Sequence, residues 1–201
     1  MRVLLVEDEP LIAEFVGKGL RESGHDVTLA ISRGSRWEPL ARQLTGVRVE
    51  TFTPKSPIRF AMVRTLIRLI RECDAQILHA HQGCDYWPAI TASRLANCGT
   101  RVVVTRHLMT RPRNVSRALL LRLSDVIAVS GAVEEVLQRE LRGPPERLHR
   151  IYGGIDNLHP HRRNYRINGN RIADYHVTRY HHRIADRNER HADQQCGDKS
   201  H

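Results

Sequence analysis

The sequence predicts an α/β domain: a Rossmann-like parallel sheet with helices on both faces, followed by a poorly structured C-terminal tail. Up to about residue 156, short runs rich in Val, Ile and Leu alternate with longer segments of helical periodicity. The strand runs are almost continuously apolar, as is typical of parallel strands buried on both faces. Because such sheets bind ligands at the carboxyl ends of their strands, functional residues are expected directly after strands.

Seven strands and five helices follow from this alternation. The predicted strands cover residues 3–6, 26–31, 47–52, 76–81, 101–106, 125–130 and 147–152. The predicted helices cover residues 10–23, 57–73, 86–97, 115–123 and 131–142. Pro10 and Gly24 fit the start and the end of the first helix. Together these elements predict one domain over residues 1–156.

The net charge of +10 is shared between the body of the chain (residues 1–156) and its C-terminal tail (residues 157–201). Residues 157–201 hold nine Lys/Arg against five Asp/Glu, which leaves 23 against 17, about +6, for residues 1–156. Such a body suits an anionic membrane surface or an acidic substrate as well as nucleic acid. An aromatic content of 5% and the lack of an RNP-like or zinc-finger pattern argue against specific nucleic-acid binding.

Three observations predict a cytoplasmic location. The chain has no run of 18 apolar residues and no visible secretory signal. Its four cysteines, Cys73, Cys84, Cys98 and Cys196, show no CxxC spacing. We therefore expect reduced thiols, three of them in or near the core.

The segment 157–201 differs in kind from the body. It contains seven of the twelve histidines and only five scattered aliphatic residues, too few for a core, so it is predicted to be mostly disordered. Two interpretations remain open. The segment is either an out-of-frame translation that ends a truncated transferase gene, or a real basic tail that binds nucleic acid or membrane.

The stretch VEDEP (6–10) resembles the start of a response-regulator receiver domain, and this resemblance covers residues 2–30. A receiver needs an Asp after its third strand and a late Lys. The third strand here ends in Glu50-Thr51-Phe52-Thr53, and the lysines are Lys18, Lys55 and Lys199. Asp8 or Glu9 is instead expected to cap the first helix or to favour its N-terminus by about 0.3–1 kcal/mol. A degenerate receiver-like module that binds a partner protein, without phosphorelay, is the alternative function.

A more extensive resemblance covers residues 76–156, with a looser fit from residue 24. The motifs ILHAH, VVVTRH, DVIAVSGAVEE and PPERLHRIYGGID, in this order, resemble the N-terminal domain of family-4 glycosyltransferases of the GT-B fold. The resemblance implies a retaining enzyme that transfers a sugar from a nucleotide-sugar donor to a saccharide or lipid-linked acceptor. It implies surface polysaccharide or glycolipid synthesis, with the donor as co-substrate and no further cofactor. The donor-binding domain of the family is not found after residue 156, so the chain is expected to be inactive alone.

The resemblance also assigns site residues. His107 matches the family's catalytic histidine near the transferred sugar, where it would bond a sugar hydroxyl as charge develops. Ser130 matches a substrate-binding serine, although its place before a helix also predicts an N-cap. Gly153 and Gly154 match the substrate-side turn that leads into the second domain. Where the family has a glycine-rich loop after its first strand, this chain has the acidic loop 7–10, which is expected to repel a diphosphate.

His81 is predicted to line the cleft as part of a strand-end pair with His79. These histidines and Cys84 have the residue types of a zinc site, but their spacing is too tight and no partner pair follows. No metal site is therefore predicted.

The predicted helix 57–73 carries four arginines among seven large apolar residues. An amphipathic helix of this kind can lie on anionic lipid, which makes a peripheral position at the inner face of the plasma membrane a candidate. The other interpretation is a core-packing helix with a solvated arginine face.

Overall fold

The computed structural model describes residues 1–44, 46–52 and 60–152. Within these ranges the chain forms seven strands: β1 (Arg2–Val6), β2 (Asp26–Ser32), β3 (Arg48–Phe52), β4 (Ile77–Ala80), β5 (Arg101–Arg106), β6 (Asp125–Ala128) and β7 (Leu148–Arg150). Six α-helices lie between them: α1 (Pro10–Glu22), α2 (Glu38–Ala41), α3 (Phe60–Glu72), α4 (Tyr86–Ala96), α5 (Asn114–Leu123) and α6 (Gly131–Glu140). A single 3₁₀ turn, Pro145–Arg147, precedes β7.

All seven strands join one parallel sheet in the order β3-β2-β1-β4-β5-β6-β7. The order reverses between β1 and β4, which pair from Val3 with Ile77 to Val6 with Ala80. Because crossovers between parallel strands are right-handed, the helices α1 and α2 lie on one face and α3 to α6 on the other. This confirms the predicted Rossmann-like sheet covered on both faces.

Alternate residues of β1 show the two apolar layers. Leu4 and Val6 belong to a large cluster with buried side chains of α3, α4, α5 and α6. Val3 and Leu5 are equally buried but lie outside that cluster, as expected for side chains that point to the opposite face. Both faces of the central strands are buried, which is why these strands are mostly apolar in sequence.

Most predicted elements are confirmed, and within the described residues their ends shift by no more than two residues. The short helix α2 was not predicted, because four residues around Pro39 are too few to show helical periodicity. The placement of the cysteines is wrong in part: Cys73 is half-buried, but Cys84 and Cys98 are exposed. The predicted start of the helix 57–73, the domain boundary at 156 and the tail 157–201 fall outside the described residues.

Helix α3 buries its apolar side. Met62, Leu66, Leu69 and Ile70 are buried, and the helix packs against α4. On the opposite side, Arg68 forms ion pairs with Glu72 and Glu50. These contacts are those expected of a core-packing helix with a solvated arginine face. None of the helices in the described ranges is long and apolar enough to cross a membrane.

Candidate functional site

Polar side chains follow the three central strands at the edge where the strand order reverses. Glu7 comes directly after β1, His81 after β4 and His107 after β5. Since parallel strands end at the same edge, residues far apart in the sequence meet there. This is the position at which open α/β sheets bind their ligands.

Glu7 is the most deeply buried carboxylate of this edge, with 2% of its surface exposed. Its Oε1 accepts a hydrogen bond of 2.7 Å from the backbone N–H of Glu9, and its Oε2 lies 3.4 Å from Nδ1 of His81. Burial raises the pKa of Glu7 to about 7, although hydrogen bonds from Glu9 and Gln82 oppose the rise. A large share of Glu7 is therefore neutral near pH 7, and its repulsion of a phosphate is weaker than the sequence predicted.

The other two carboxylates of the acidic loop do not cap α1 with a hydrogen bond. Glu9 occupies the N-cap position, but its side chain makes no capping hydrogen bond. The carboxylate of Asp8 instead accepts hydrogen bonds from the backbone N–H of Ser32, at 2.6 Å, and from its hydroxyl. Asp8 therefore ties the end of β1 to the end of β2. Neither carboxylate caps α1 by a hydrogen bond, and the favourable charge–dipole interaction at the N-terminus of α1 stays a prediction.

His79 and His81 lie on the same side of β4, as their spacing of two residues predicts. Their ring centroids are 4.2 Å apart, and both residues are at least 95% buried. Nε2 of His79 lies 2.8 Å from the hydroxyl oxygen of Thr105 on β5. This contact joins His79 to the neighbouring strand, and His81, two residues further on, lies just beyond the end of β4.

His107 stands one residue beyond β5 and is exposed. Its ring centroid lies 5.7 Å from that of His81. Nearby protein atoms still desolvate the imidazole enough to lower its pKa, so the neutral ring is favoured at pH 7. A neutral imidazole in this position has one nitrogen to donate and one to accept a hydrogen bond with a hydroxyl group.

Glu7, His81 and His107 converge on one point. Each offers one nitrogen or oxygen atom, and these three atoms lie within 4.8 Å of one another. Sequence analysis identified the two histidines but treated Glu7 only as part of an acidic loop. The signal that could have found Glu7 was its position as the first residue after a buried strand, since parallel sheets bind ligands at the carboxyl ends of their strands.

Ser130 lies at the end of the next strand but faces its own helix. It is the N-cap of α6, and its side-chain oxygen accepts a hydrogen bond of 3.2 Å from the backbone N–H of Val133. The predicted cap is therefore confirmed. Glu134, in the first turn of α6, pairs with Arg150 at 2.9 Å. Gly153 and Gly154 lie outside the described residues.

The two aromatic residues at the start of α4 pack against the domain. Tyr86 is buried, and its hydroxyl donates a hydrogen bond of 2.5 Å to the backbone carbonyl of Thr105. Trp87 is partly buried against the core cluster. Cys84 precedes them and is exposed.

The sheet order and the polar edge at its reversal define a Rossmann-like domain of the kind found in GT-B enzymes. The family model "Glycosyltransferase Family 4" matches residues 13–157, which is more than half of the chain. The chain belongs to this family. The match begins after the acidic loop 7–10. The loop that replaces the family's glycine-rich loop therefore lies outside the matched residues.

Solved structures share the fold at low sequence identity. A glycosyltransferase from Rickettsia africae ESF-5 has a TM-score of 0.63 at 17% identity, over 77% of this chain and 43% of that chain. Anabaena Alr3699/HepE, in complex with UDP and glucose, has a TM-score of 0.59 at 18% identity, over 78% and 45%. The lipopolysaccharide outer core galactosyltransferase WaaB, in its apo form, has a TM-score of 0.54 at 10% identity, over 77% and 46%.

In each of these three comparisons the matched region is less than half of the solved protein. A search of curated proteins found no significant match. The receiver-like alternative is not favoured, because β1, α1 and β2 are integral to the seven-stranded sheet and the family model covers most of the described residues.

Proposed function

We propose that this domain is the acceptor-side half of a glycosyltransferase that transfers a sugar from a nucleotide-sugar donor to a saccharide or lipid-linked acceptor. One observation carries the proposal: a chain of the glycosyltransferase family brings His81 and His107 together at the ligand-binding edge of its sheet. We place the reaction in surface polysaccharide or glycolipid synthesis. Two structural neighbours support this class, since one was solved with UDP and glucose and another is a lipopolysaccharide outer core galactosyltransferase.

His107 is the residue proposed to contact the transferred sugar. It is exposed at the cleft edge, and its lowered pKa keeps the imidazole neutral and able to bond a hydroxyl. A hydrogen bond that strengthens as positive charge develops on the sugar ring would stabilise the transition state. His81, with Glu7 3.4 Å from its Nδ1, lies next to His107, and the ring centroids of the two histidines are 5.7 Å apart.

The remaining predicted residues have supporting roles in this proposal. Ser130 fixes the start of α6, and thereby the loop after β6, through its cap. Gly153 and Gly154 are proposed to form the substrate-side turn toward a donor-binding domain, as the family resemblance implies. The nucleotide sugar is the co-substrate, held by that second domain, so acceptor binding is the property to test in this chain.

A location at the inner face of the plasma membrane is part of the proposal for a lipid-linked acceptor. Because the apolar side of α3 is buried, any lipid contact of this helix would come from its start, where Phe60 is 72% exposed beside the exposed Arg64. Co-sedimentation with vesicles of anionic or zwitterionic lipid tests this point. Binding that requires anionic lipid and is reduced by Arg64→Glu is expected; equal binding to both vesicles would remove the membrane from the proposal.

Saturation-transfer NMR against a panel of bacterial surface oligosaccharides tests acceptor binding in the full chain. We expect one class of saccharide to bind and His107→Ala to weaken that binding by about tenfold, the loss of one good hydrogen bond. Lys18→Ala, at an exposed position in the second half of α1, is the control and should bind as the wild type does. If no saccharide binds, or if His107→Ala binds unchanged, the proposed role is wrong.

A further inference from the structure

The cluster of Glu7, His81 and His107 has the composition of a metal site. One carboxylate and two imidazoles are the protein ligands of several three-ligand zinc centres, and the set also suits other divalent transition metals. The third ligand comes from β1, so the cluster was not visible in the tight spacing of His79, His81 and Cys84. Mg²⁺ and Ca²⁺ prefer all-oxygen surroundings, which two imidazoles do not provide.

The distances fit a cation with little rearrangement. Bonds of about 2.0–2.1 Å at tetrahedral angles place two ligand atoms roughly 3.3–3.4 Å apart. Oε2 of Glu7 and Nδ1 of His81 already lie 3.4 Å apart. All three ligand atoms lie within 4.8 Å of one another, so His107 would have to approach the other two by at most about 1.5 Å.

Burial determines which ligands are fixed and which one can move. Glu7 and His81 are 2% and 5% exposed, and they end strands at the centre of the sheet. The N–H of Glu9 holds Oε1 of Glu7, which orients Oε2 toward His81, as outer hydrogen bonds orient metal ligands generally. His107 is exposed beyond the end of β5, so it is the least confined of the three ligands.

We propose that Glu7, His81 and His107 bind one divalent transition-metal ion of the zinc class at the carboxyl edge of the sheet. Three protein ligands leave a coordination position for water or a substrate oxygen. The inference does not depend on the proposed transferase function. The proposed metal site can be tested by metal binding alone, without an assay of sugar transfer.

The competing explanation is a metal-free contact in which Glu7 and His81 share a proton and His107 packs beside them. The two explanations differ at His107. A metal site needs its nitrogen, whereas the Glu7–His81 contact of 3.4 Å does not. Because His107 is exposed, its replacement by alanine leaves the core intact.

Co²⁺ serves as the probe, because its visible absorption is strong in four- or five-coordinate sites and weak in octahedral ones. The full chain is first stripped of metal with a chelator and then titrated, with isothermal calorimetry for affinity and stoichiometry. The segment 157–201 contains seven histidines that also attract metal, so the control is the double substitution His181→Ala/His182→Ala in that segment. Glu7→Gln, which preserves shape and removes the charge, is the second site variant, and circular dichroism checks that each variant is folded.

We expect one equivalent of Co²⁺ with intense visible bands, displaced by Zn²⁺. His107→Ala and Glu7→Gln should each weaken this binding at least tenfold and remove the bands, and the double substitution should leave both unchanged. The proposal is overturned if the wild type shows no intense bands. It is also overturned if the two site variants bind as the wild type does, or if only the double substitution removes binding.

Discussion

Arg101 and Asp125, at the starts of the adjacent strands β5 and β6, form an ion pair with 2.9 Å between Nη2 and Oδ2. The Asp125 side chain is 5% exposed and that of Arg101 is 21% exposed, so the pair lies largely out of water. Nε2 of His149 on β7 lies 3.7 Å from the other carboxylate oxygen. Three neighbouring strands thus meet around one buried carboxylate, at the opposite edge of the sheet from the candidate site.

Replacing Arg101 with Met should destabilise the domain by about 3 kcal/mol at pH 7, because it removes the main countercharge of a buried carboxylate. The matched control is Arg2→Met. Arg2 pairs with Asp74 at 2.5 Å, but those side chains are 43% and 76% exposed, and the loss should stay below about 1 kcal/mol. Urea denaturation of both variants measures the difference. Equal losses would mean that burial adds nothing to the Arg101–Asp125 pair.

The same pair predicts an acid dependence of stability. Burial acts to raise the pKa of Asp125, but the hydrogen bond with His149 and the charge of Arg101 outweigh it and lower the pKa below its ordinary value. A lowered pKa means that the charged form contributes stability above the ordinary Asp pKa of about 3.9, and that this contribution is lost as the pH falls through the folded-state value. The gap in unfolding free energy between wild type and Arg101→Met should therefore narrow below about pH 4. A gap that is constant from pH 7 to pH 3 would contradict this account.

Ser130→Ala should cost about 1 kcal/mol, the usual effect of removing an N-cap, because the N–H of Val133 loses its acceptor. Ser130→Asp, which retains a capping oxygen, should recover most of the stability. The same variants separate the cap from a substrate contact. If Ser130→Ala keeps its stability but loses saccharide binding, the serine acts on the ligand and not on the helix.

The fold was predictable from the sequence because its central strands need apolar residues on both faces. β4 and β6 are buried at all four positions, so their sequences predict strands even when the neighbouring strands are not known. His81 was predicted from its place at the end of such a strand, whereas His107 was assigned through the family resemblance; in the structure each of them directly follows a strand. Local sequence is enough to identify the ends of buried strands, and these ends mark the ligand-binding edge of a parallel sheet.

The contacts made across the sheet were not predictable in this way. Glu7 meets His81 because β1 and β4 are neighbours, and Asp8 meets Ser32 because β1 and β2 are neighbours. Strand order is set by the packing of helices on the two faces, and it leaves no local pattern in the sequence. The acidic loop was consequently interpreted through the helix that follows it, although its partners lie 24 and 74 residues away in the chain.

Helix α3 offers a test of its role as a core helix. Leu66 is fully buried, and Leu66→Ala should lower the free energy of unfolding by about 2–5 kcal/mol. Phe60, on the same helix, is 72% exposed, and Phe60→Ala should change stability by no more than about 0.5 kcal/mol. Thermal and urea denaturation of the two variants measure these changes in stability. Similar small effects at both positions would mean that α3 does not pack against α4 in solution.

Replacing each of two glycines with alanine should change the free energy of unfolding in opposite directions. Gly143, just beyond α6, has a φ of +148°, and a Cβ added there would lie 2.7 Å from Cβ of Leu121. Both the backbone conformation and the close contact disfavour a side chain, so Gly143→Ala should cost about 1–3 kcal/mol. Gly19 lies inside α1 with no atom within 4 Å of an added Cβ, and Gly19→Ala should stabilise by about 0.5–1 kcal/mol by restricting the unfolded chain. Urea denaturation measures the change in unfolding free energy for both variants. A Gly143→Ala variant as stable as the wild type would show that the contact between Gly143 and Leu121 is looser than described.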